Sequence, residues 1–502
     1  MLKNIGSNWF LMTVTGLATF FLMPFNLAHL GTLQYGIWLV ISAQTAYLFL
    51  LHLGVPMASV REMTQAIATG DRRKLNQVIA SCSLLYIGFG VLVGVLGIPL
   101  LFDFERSYDV PIDLRASARF AFLLALVQIA IGFIANMPFA ILSAYQAFVA
   151  KNALSALAIL VRILVNVALV VWYPNLSMLA AALVAMTTFE LVLGWGYVLK
   201  RYPGVRPRLT DAQVESVRSI VKFSAYVFLL ALGGQLAFQT SALVIGRLMT
   251  TADVVTFAVP NSLMLILMQF VGGISSVMMP LATNLHTRGE MRALRGILFR
   301  WTKISLALSW CAGLYFIVFG PAFLAFWIKS AYSHESDAVL RILTTSYLVL
   351  LPIRSVAVPM LMGIGEAKWL TLATLGAGLL NLVLSILWIG PYGLVGAAWG
   401  TFVPNVLLSA VMMALVCRAL DVPVVDYLAA TVPLALVGAF AALVMLGWWE
   451  WIWHPSSWFG LGVAGALTVA VSVAIWGGLV LRHDVHVPIP RLSEFIPWRL
   501  QR

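Results

Sequence analysis

Two stretches of this chain read alike, and they decide the fold. The first is Gly54-Val-Pro-Met-Ala-Ser-Val-Arg-Glu-Met-Thr-Gln-Ala-Ile-Ala-Thr-Gly70-Asp71-Arg72-Arg73-Lys74-Leu75. The second is Gly273-Ile-Ser-Ser-Val-Met-Met-Pro-Leu-Ala-Thr-Asn-Leu-His-Thr-Arg-Gly289-Glu290-Met291-Arg292-Ala293-Leu294. A constant shift of 219 sets Gly54 on Gly273, Gly70 on Gly289, Asp71 on Glu290, Arg73 on Arg292 and Leu75 on Leu294, and it puts Trp38 over Phe257. Each copy leaves an apolar run and enters a turn of glycine, acid and base, the pattern that ends one helix and starts the next. A further echo, at a shift of 220, lays Ser143-Ala-Tyr-Gln-Ala147 over Gly363-Ile-Gly-Glu-Ala367.

Outward from these turns lie fourteen apolar spans, at 8–29, 36–60, 78–101, 117–143, 153–173, 176–199, 223–247, 254–280, 304–328, 339–362, 369–389, 393–417, 427–449 and 458–481. Each is near the ~20 residues that a helix needs to cross hydrocarbon, whereas the strands of a membrane barrel are ~10 residues long and alternate. Tyr173-Pro174-Asn175 and Gly390-Pro391-Tyr392-Gly393 are the short turns after spans five and eleven. Six spans separate the two copies. The number is even, so both copies face the same way and the repeat is parallel. The expected fold is therefore all-α: a polytopic membrane protein of about fourteen transmembrane helices. It would hold a six-helix lobe at 1–222, a second at 223–420, two additional helices at 421–481 and a tail at 482–502.

Composition agrees. Of 502 residues 62% are hydrophobic and 10% are charged, and the mean hydropathy is +0.97. A soluble domain carries about 25% charge, so these values exclude a soluble enzyme and a disordered chain. The net charge of +12 follows from topology rather than from nucleic-acid binding. With the N-terminus inside, only six of the 31 Lys and Arg (Arg106, Arg115, Arg119, Arg247, Lys329 and Arg341) fall in outer segments. Arg162 and Arg354 lie within spans, and the other twenty-three fall on the inner side. Both termini are expected in the cytoplasm. Cys82, Cys311 and Cys417 lie in or at the end of apolar runs, with neither metal spacing nor a disulfide framework, and no cofactor is expected.

Several motifs resemble a known superfamily. They are Leu30-Gly31-Thr-Leu-Gln-Tyr35-Gly36-Ile-Trp38, then Gly54 through Asn76, then Gly363-Ile-Gly365-Glu366-Ala-Lys368, then Asn381-Leu-Val-Leu, and Tyr392-Gly393-Leu-Val-Gly396-Ala-Ala-Trp-Gly400-Thr. In order and spacing the chain resembles the multidrug/oligosaccharidyl-lipid/polysaccharide (MOP) exporter superfamily over roughly residues 7–420. More narrowly, it resembles the bacterial flippases of O-antigen, capsule or exopolysaccharide units. The resemblance implies a carrier in the bacterial inner membrane with a central cavity. Its substrate would be an undecaprenyl-diphosphate-linked oligosaccharide moved to the outer leaflet by alternating access. It also implies membrane lipids and polysaccharide polymerase machinery as partners, and a proton or sodium ion as coupling ion. The chain departs from relatives that place arginines on the first two helices, since span one has none and span two has only Arg61, at its inner end.

Polar groups inside a bilayer are costly and mostly face the protein interior. Arg162, Glu190 and Arg354 are the charges within spans five, six and ten. Arg162 and Arg354 suit a phosphate-bearing headgroup, because the guanidinium fork donates two hydrogen bonds. Equally, Arg162 would serve as half of an ion pair with Glu190, and Arg354 as a partner for backbone carbonyls. Glu190, the sole acid deep in a span, is the ion-coupling candidate. Asn26 and His29 share a face of span one, His52 lies in span two, and Gln235 and Gln239 share a face of span seven. These are substrate-binding candidates, with interhelical hydrogen bonding as the alternative for each. The basic inner segments 200–222 and 286–303 are read as loops.

Three other functions compete with the flippase. A drug or cation antiporter would need acids in the membrane, which are scarce here. A polyprenyl-dependent glycosyltransferase or polymerase would need paired acids in a large outer loop. The only acidic cluster (Asp103, Glu105, Asp109 and Asp113) lies in a loop of fourteen residues, Phe102–Arg115, so an enzyme is not expected. An uncoupled scramblase would share the helices without Glu190 having a role.

Overall fold

The structure, a computed structural model, describes residues 2–52, 54–205, 208–273, 275–329, 333–451, 455 and 457–480. Arg206, in the basic segment 200–222, and the expected tail at 482–502 lie outside the described residues. Among those described, every regular element is helical. In chain order they are α1 (Leu2–Phe49), α2 (Val55–Ala68), α3 (Arg72–Ser107), α4 (Ile112–Ala144), α5 (Phe148–Trp172), α6 (Leu176–Arg201), α7 (Val214–Phe238) and α8 (Thr240–Leu248). There follow α9 (Thr251–Gly272), α10 (Ser275–Thr287), α11 (Met291–Ile328), α12 (His334–Gly363), α13 (Ala367–Ala419), α14 (Val424–Trp451) and α15 (Trp458–Ser472), which runs on as a π-helix over Val473–Val480.

Among the described residues eleven helical runs are long and apolar enough to cross a bilayer, or twelve when the bent pair Phe228–Phe238 and Thr240–Leu248 counts as one. Two of them are too long for one crossing. Gly6–Ala68 has 63 residues and α13 has 53. At 1.5 Å per residue they would reach about 95 and 80 Å, against a hydrocarbon core of about 30 Å. Both turn at a glycine outside helical geometry, Gly31 (φ 73°) and Gly393 (φ 57°). Each run is thus two helices joined at an elbow, so the eleven or twelve runs are compatible with the fourteen spans expected. The protein is an all-α, polytopic membrane protein.

The repeat is written in the backbone. Gly70 and Gly289 have φ of 71° and 72°, left-handed values that a residue with a Cβ adopts only at a cost. Around them the hydrogen bonds match bond for bond: Gly70 N–H to Ile67 and Asp71 N–H to Ala66, against Gly289 N–H to His286 and Glu290 N–H to Leu285. α3 and α11 begin 219 residues apart. The second echo corrects the expected register. Gln146 (φ 56°) and Gly365 (φ 89°) take the left-handed position after α4 and α12, and α5 and α13 begin at Phe148 and Ala367. That turn is also offset by 219, not 220. The sequence match followed similar side chains, whereas the turn is fixed by which residue adopts positive φ.

Two segments read as loops are largely helical. α7 already starts at Val214, and Arg292, Arg295, Arg300 and Lys303 ride on the first turns of α11. There Arg295 donates to the Leu420 carbonyl at 2.7 Å and pairs with Asp421 at 3.1 Å.

Packing divides the chain into two compact units. Unit 1 is Met1–Val259 with Thr374–Gly400, and unit 2 is Pro260–Ala373 with the described residues from Thr401 on. In unit 1, α4 is the central post, packed by α1, α2, α3 and α6. Tyr86, Phe104, Phe122, Phe133 and Met137 are fully buried. Polar clasps join its helices: Asn152 Nδ2 donates to Ser7 and Asn8 at 3.0 and 2.5 Å, and Asn175 Nδ2 to Ser117 at 2.8 Å. Lipid offers no hydrophobic gain for bringing helices together, so such clasps and close packing hold the bundle, each bond contributing about 0.6 kcal/mol on average. In unit 2, α11 and α12 form the main pair, joined by Ser305 and Ser355 at 2.7 Å. Helices α14 and α15 pack on α11 through Val318, Phe319, Met445 and Ala464.

Candidate functional site

Unit 1 holds a partly open cavity of about 460 Å³ among membrane-spanning helices. One face of α4 forms its back wall. Gln128, Gly132, Asn136 and Ser143 recur there at intervals of four, four and seven, which a helix places on one side. Lys151 and Ser155, one turn apart, come from α5, and Thr187 and Glu190 from α6. Phe49 of α1 and Pro56, Met57 and Val60 of α2 supply an apolar flank.

The polar groups fall into two sets. One set is already bonded: Lys151 Nζ donates to Ser143 Oγ at 3.0 Å, and Gln128 Nε2 to Thr187 Oγ1 at 3.1 Å. The Thr187 hydroxyl in turn donates to the Leu183 carbonyl at 2.9 Å. The other set (Asn136, Ser155 and Glu190) lines the same space with no side-chain hydrogen bond among the described residues. A bilayer interior supplies no water to such groups, so a cavity that presents them is built for a polar occupant. Lys151 is its one cation and Glu190 its one carboxylate among the lining residues. Lys151 stands in the first turn of α5 and Glu190 near the middle of α6. Counted along the two helices from their shared turn at 173–175, Glu190 lies about 10 Å deeper than Lys151.

The turn beside Lys151 is braced. Tyr145 stacks on Tyr202 with ring centroids 4.0 Å apart and planes 14° apart. Burial pushes both phenols up, against the opposing pull of Arg72 on Tyr145 and Arg201 on Tyr202, so both remain neutral hydrogen-bonding groups at pH 7. The segment after α6 is clasped to α3: Asn76 donates to the Gly204 carbonyl at 3.2 Å, and Ser81 Oγ accepts from the Gln213 N–H at 2.9 Å.

Of the nine residues singled out from sequence, Glu190 lines this cavity. Arg162, half-buried on α5, makes no ion pair with Glu190 among the described residues; it lies within electrostatic reach of Tyr35. His52 sits against Phe49 and Phe133, with ring centroids 4.8 and 6.2 Å away. Asn26 is buried in α1, whereas His29, three residues on, is exposed and bonds the Phe25 carbonyl at 2.8 Å through Nδ1. Arg61 is exposed on α2. Gln235 Nε2 donates to the Ala46 carbonyl at 3.1 Å, a clasp between α7 and α1, and Gln239 is the residue at which α7 gives way to α8. Arg354 lies on α12 in unit 2, within electrostatic reach of Tyr347. Lys151, Gln128, Asn136 and Thr187 were not singled out. The stripe Gln128–Gly132–Asn136 and the pair Thr187–Glu190 are the patterns that announce them.

Unit 2 holds a different cavity, about 360 Å³, walled mainly by apolar side chains of α11 to α14, with Tyr427 bonded to Thr302 at 3.3 Å on its margin.

Known proteins share this architecture. The structure is similar to that of a lipid II flippase, MurJ, in an inward closed conformation, with TM-score 0.71 and 12% identity over 95% of this chain and 99% of that one. It is also similar to an inward-facing multidrug resistance MATE transporter of the MOP superfamily, with TM-score 0.68 and 14% identity over 85% of this chain and 95% of that one. At such identities the likeness establishes a common fold. In sequence, the chain is 24% identical over 430 residues to the uncharacterized membrane protein EpsK of Bacillus subtilis (strain 168), covering 82% of each. The model of the polysaccharide biosynthesis protein family matches residues 1–286, more than half the chain. The chain belongs to the polysaccharide biosynthesis protein family and shares the fold of this flippase and this transporter.

Proposed function

We propose that this protein is a flippase, not an enzyme, that carries a lipid-linked oligosaccharide across the bacterial inner membrane. The lipid would be undecaprenyl diphosphate, the direction cytoplasmic to outer leaflet, and the mechanism alternating access between two lobes at 1–222 and 223–420. One observation carries this reading: a polar cavity, with three unbonded hydrogen-bonding side chains, inside helices that otherwise turn apolar residues outward. Sugar hydroxyls match amide and carboxylate groups, while the isoprenoid tail can stay in lipid. Family membership and the fold shared with a lipid II flippase support the same reading. The excess of basic residues at 61–74, 200–222 and 288–303 supports cytoplasmic termini.

In this reading Glu190 couples transport to a proton or sodium ion, since it is a carboxyl without a partner among the described residues, in a polar cavity within the membrane. Asn26, His29, His52, Arg61, Arg162, Gln235, Gln239 and Arg354 are assigned to substrate contacts elsewhere along the path. The antiporter of drugs or cations is the second reading, and the MATE-like fold favours it. Against it, the cavity's single carboxylate shares its space with the ammonium of Lys151.

The test is deletion of the gene. Lipid-linked sugar trapped on the inner leaflet and loss of surface polysaccharide are the expected result. Normal leaflet distribution, with new sensitivity to cationic drugs, would select the antiporter. In proteoliposomes Glu190→Gln is expected to fold and to lose the dependence of transport on an ion gradient; retained coupling would remove Glu190.

A further inference from the structure

We infer that the cavity of unit 1 seats the phosphate of a phosphorylated headgroup on Lys151, with the attached sugar directed toward Gln128, Asn136 and Glu190. The inference rests on the flippase reading for the class of ligand and goes beyond it in placing the phosphate. Three observations meet here. First, Lys151 is the only cation on the lining among the described residues and is held from one side by the Ser143 hydroxyl, so its ammonium has further N–H bonds to give. Second, it stands in the first turn of a helix of 25 residues. That is the edge of the hydrocarbon, where the phosphate of a membrane-anchored lipid lies, so the group can be captured without leaving its own depth. Third, the carboxylate is about 10 Å deeper along the helices. An anion is attracted at the Lys151 end and repelled toward Glu190, and neutral hydroxyls find Asn136 and Glu190 there. The cavity is thus polarised in the order phosphate, then sugar. Its volume of about 460 Å³ falls in the ordinary range of small-ligand sites, roughly 300–1,000 Å³.

The ligand chemistry is a phosphate ester, from a lipid or free in solution, and the test separates the two. Purified full-length protein in a non-ionic detergent is titrated with dioctanoyl phosphatidic acid, with dioctanoylglycerol, which lacks the phosphate, and with inorganic phosphate. Saturable binding of phosphatidic acid and none of dioctanoylglycerol is expected. Lys151→Gln should weaken it about tenfold or more, as for loss of a charged hydrogen bond, and Ser143→Ala about threefold. Lys151→Arg should bind like the wild type, which separates loss of charge from loss of fold. Lys74→Gln, a basic residue outside the cavity, should change nothing. Competition by inorganic phosphate would mean that the seat takes any phosphate; its failure to compete would mean that the lipid part contributes. Either result upholds Lys151 as the seat. Equal affinity of the wild type and Lys151→Gln, or absence of phosphate-dependent binding, overturns it. The flippase reading is judged apart, by the leaflet assay: lost binding with undisturbed leaflets in the deletion strain would retain the seat and discard the flippase, and the converse would do the reverse.

Discussion

The phenol of Tyr47 and the hydroxyl of Thr240 lie 2.5 Å apart although 193 residues separate them in sequence. The same phenol lies 3.3 Å from the Gln235 carbonyl, and Gln235 returns a bond to Ala46. One small knot therefore ties the end of α1 to the break between α7 and α8, where the helix bends by 44°. Tyr47→Phe and Thr240→Val should each destabilise the protein by about 0.6 kcal/mol, with an upper bound near 1.7. The double variant should cost little more than Tyr47→Phe alone, because Thr240→Val removes only a bond that Tyr47→Phe already removes. Unfolding in mixed micelles measures all three.

The two matching turns predict matching sensitivity. Gly70→Ala and Gly289→Ala each force a Cβ into left-handed geometry and should each cost about 1–3 kcal/mol. Gly88→Ala, on an exposed face in the middle of α3 with open space around it, should be neutral or stabilising by about 0.5–1 kcal/mol. The same chemical change with opposite signs, read by thermal unfolding, distinguishes turn geometry from general intolerance of glycine replacement.

Gly36 fails for another reason. Its φ is ordinary, but a Cβ there would run into the Thr251 carbonyl, so α1 and α9 touch backbone to backbone. Gly36→Ala should cost about 1–3 kcal/mol through forced separation of the helices. Gly36→Val should cost more, and a second substitution at Thr251 should not rescue either, because the clash is with backbone.

Asn136 separates function from stability. Its side chain lines the cavity and makes no hydrogen bond among the described residues. Asn136→Ala should therefore leave stability within about 0.5 kcal/mol, as for a substitution that breaks no contact. Transport should nonetheless fall severalfold. Unfolding in micelles and the leaflet assay, run on the same preparation, give the two readouts. A parallel loss in both would return Asn136 to a purely structural role.

Much of this fold was legible because it rests on patterns that lipid enforces. Every crossing had to be a long apolar helix, and the turn signals at Gly70 and Gly289 stood out by their spacing. The register of the second turn slipped by one because Gln146, not a glycine, occupies the left-handed position opposite Gly365. A search by residue likeness passes over it. The segments 214–222 and 291–303 read as loops because their charges mask helical continuity beyond the hydrocarbon.

The site was legible only in part. Glu190 is conspicuous as an acid in an apolar span, whereas Lys151 looks like one more positive charge at a helix end. Only the packing of α4 against α5 and α6 shows that Ser143 and Lys151 meet and that both open onto the space holding Glu190. Arg162 and Glu190 look like natural partners by charge and depth, yet they are unpaired with each other, because charge and depth do not fix which face of a helix a residue occupies.

The elbow at Gly393 bears on how the protein is made. The two arms of α13 are clasped by Asn381, whose Nδ2 donates to the Gly400 carbonyl at 3.2 Å, and Gly400 lies so near Ser385 that a Cβ would meet its backbone nitrogen at 2.8 Å. With no spacer between them, the first arm finds its packing partner only once the second has been synthesised. A lesion in the second half of this helix should therefore leave the first half unpartnered during synthesis and be read as degradation of the whole chain.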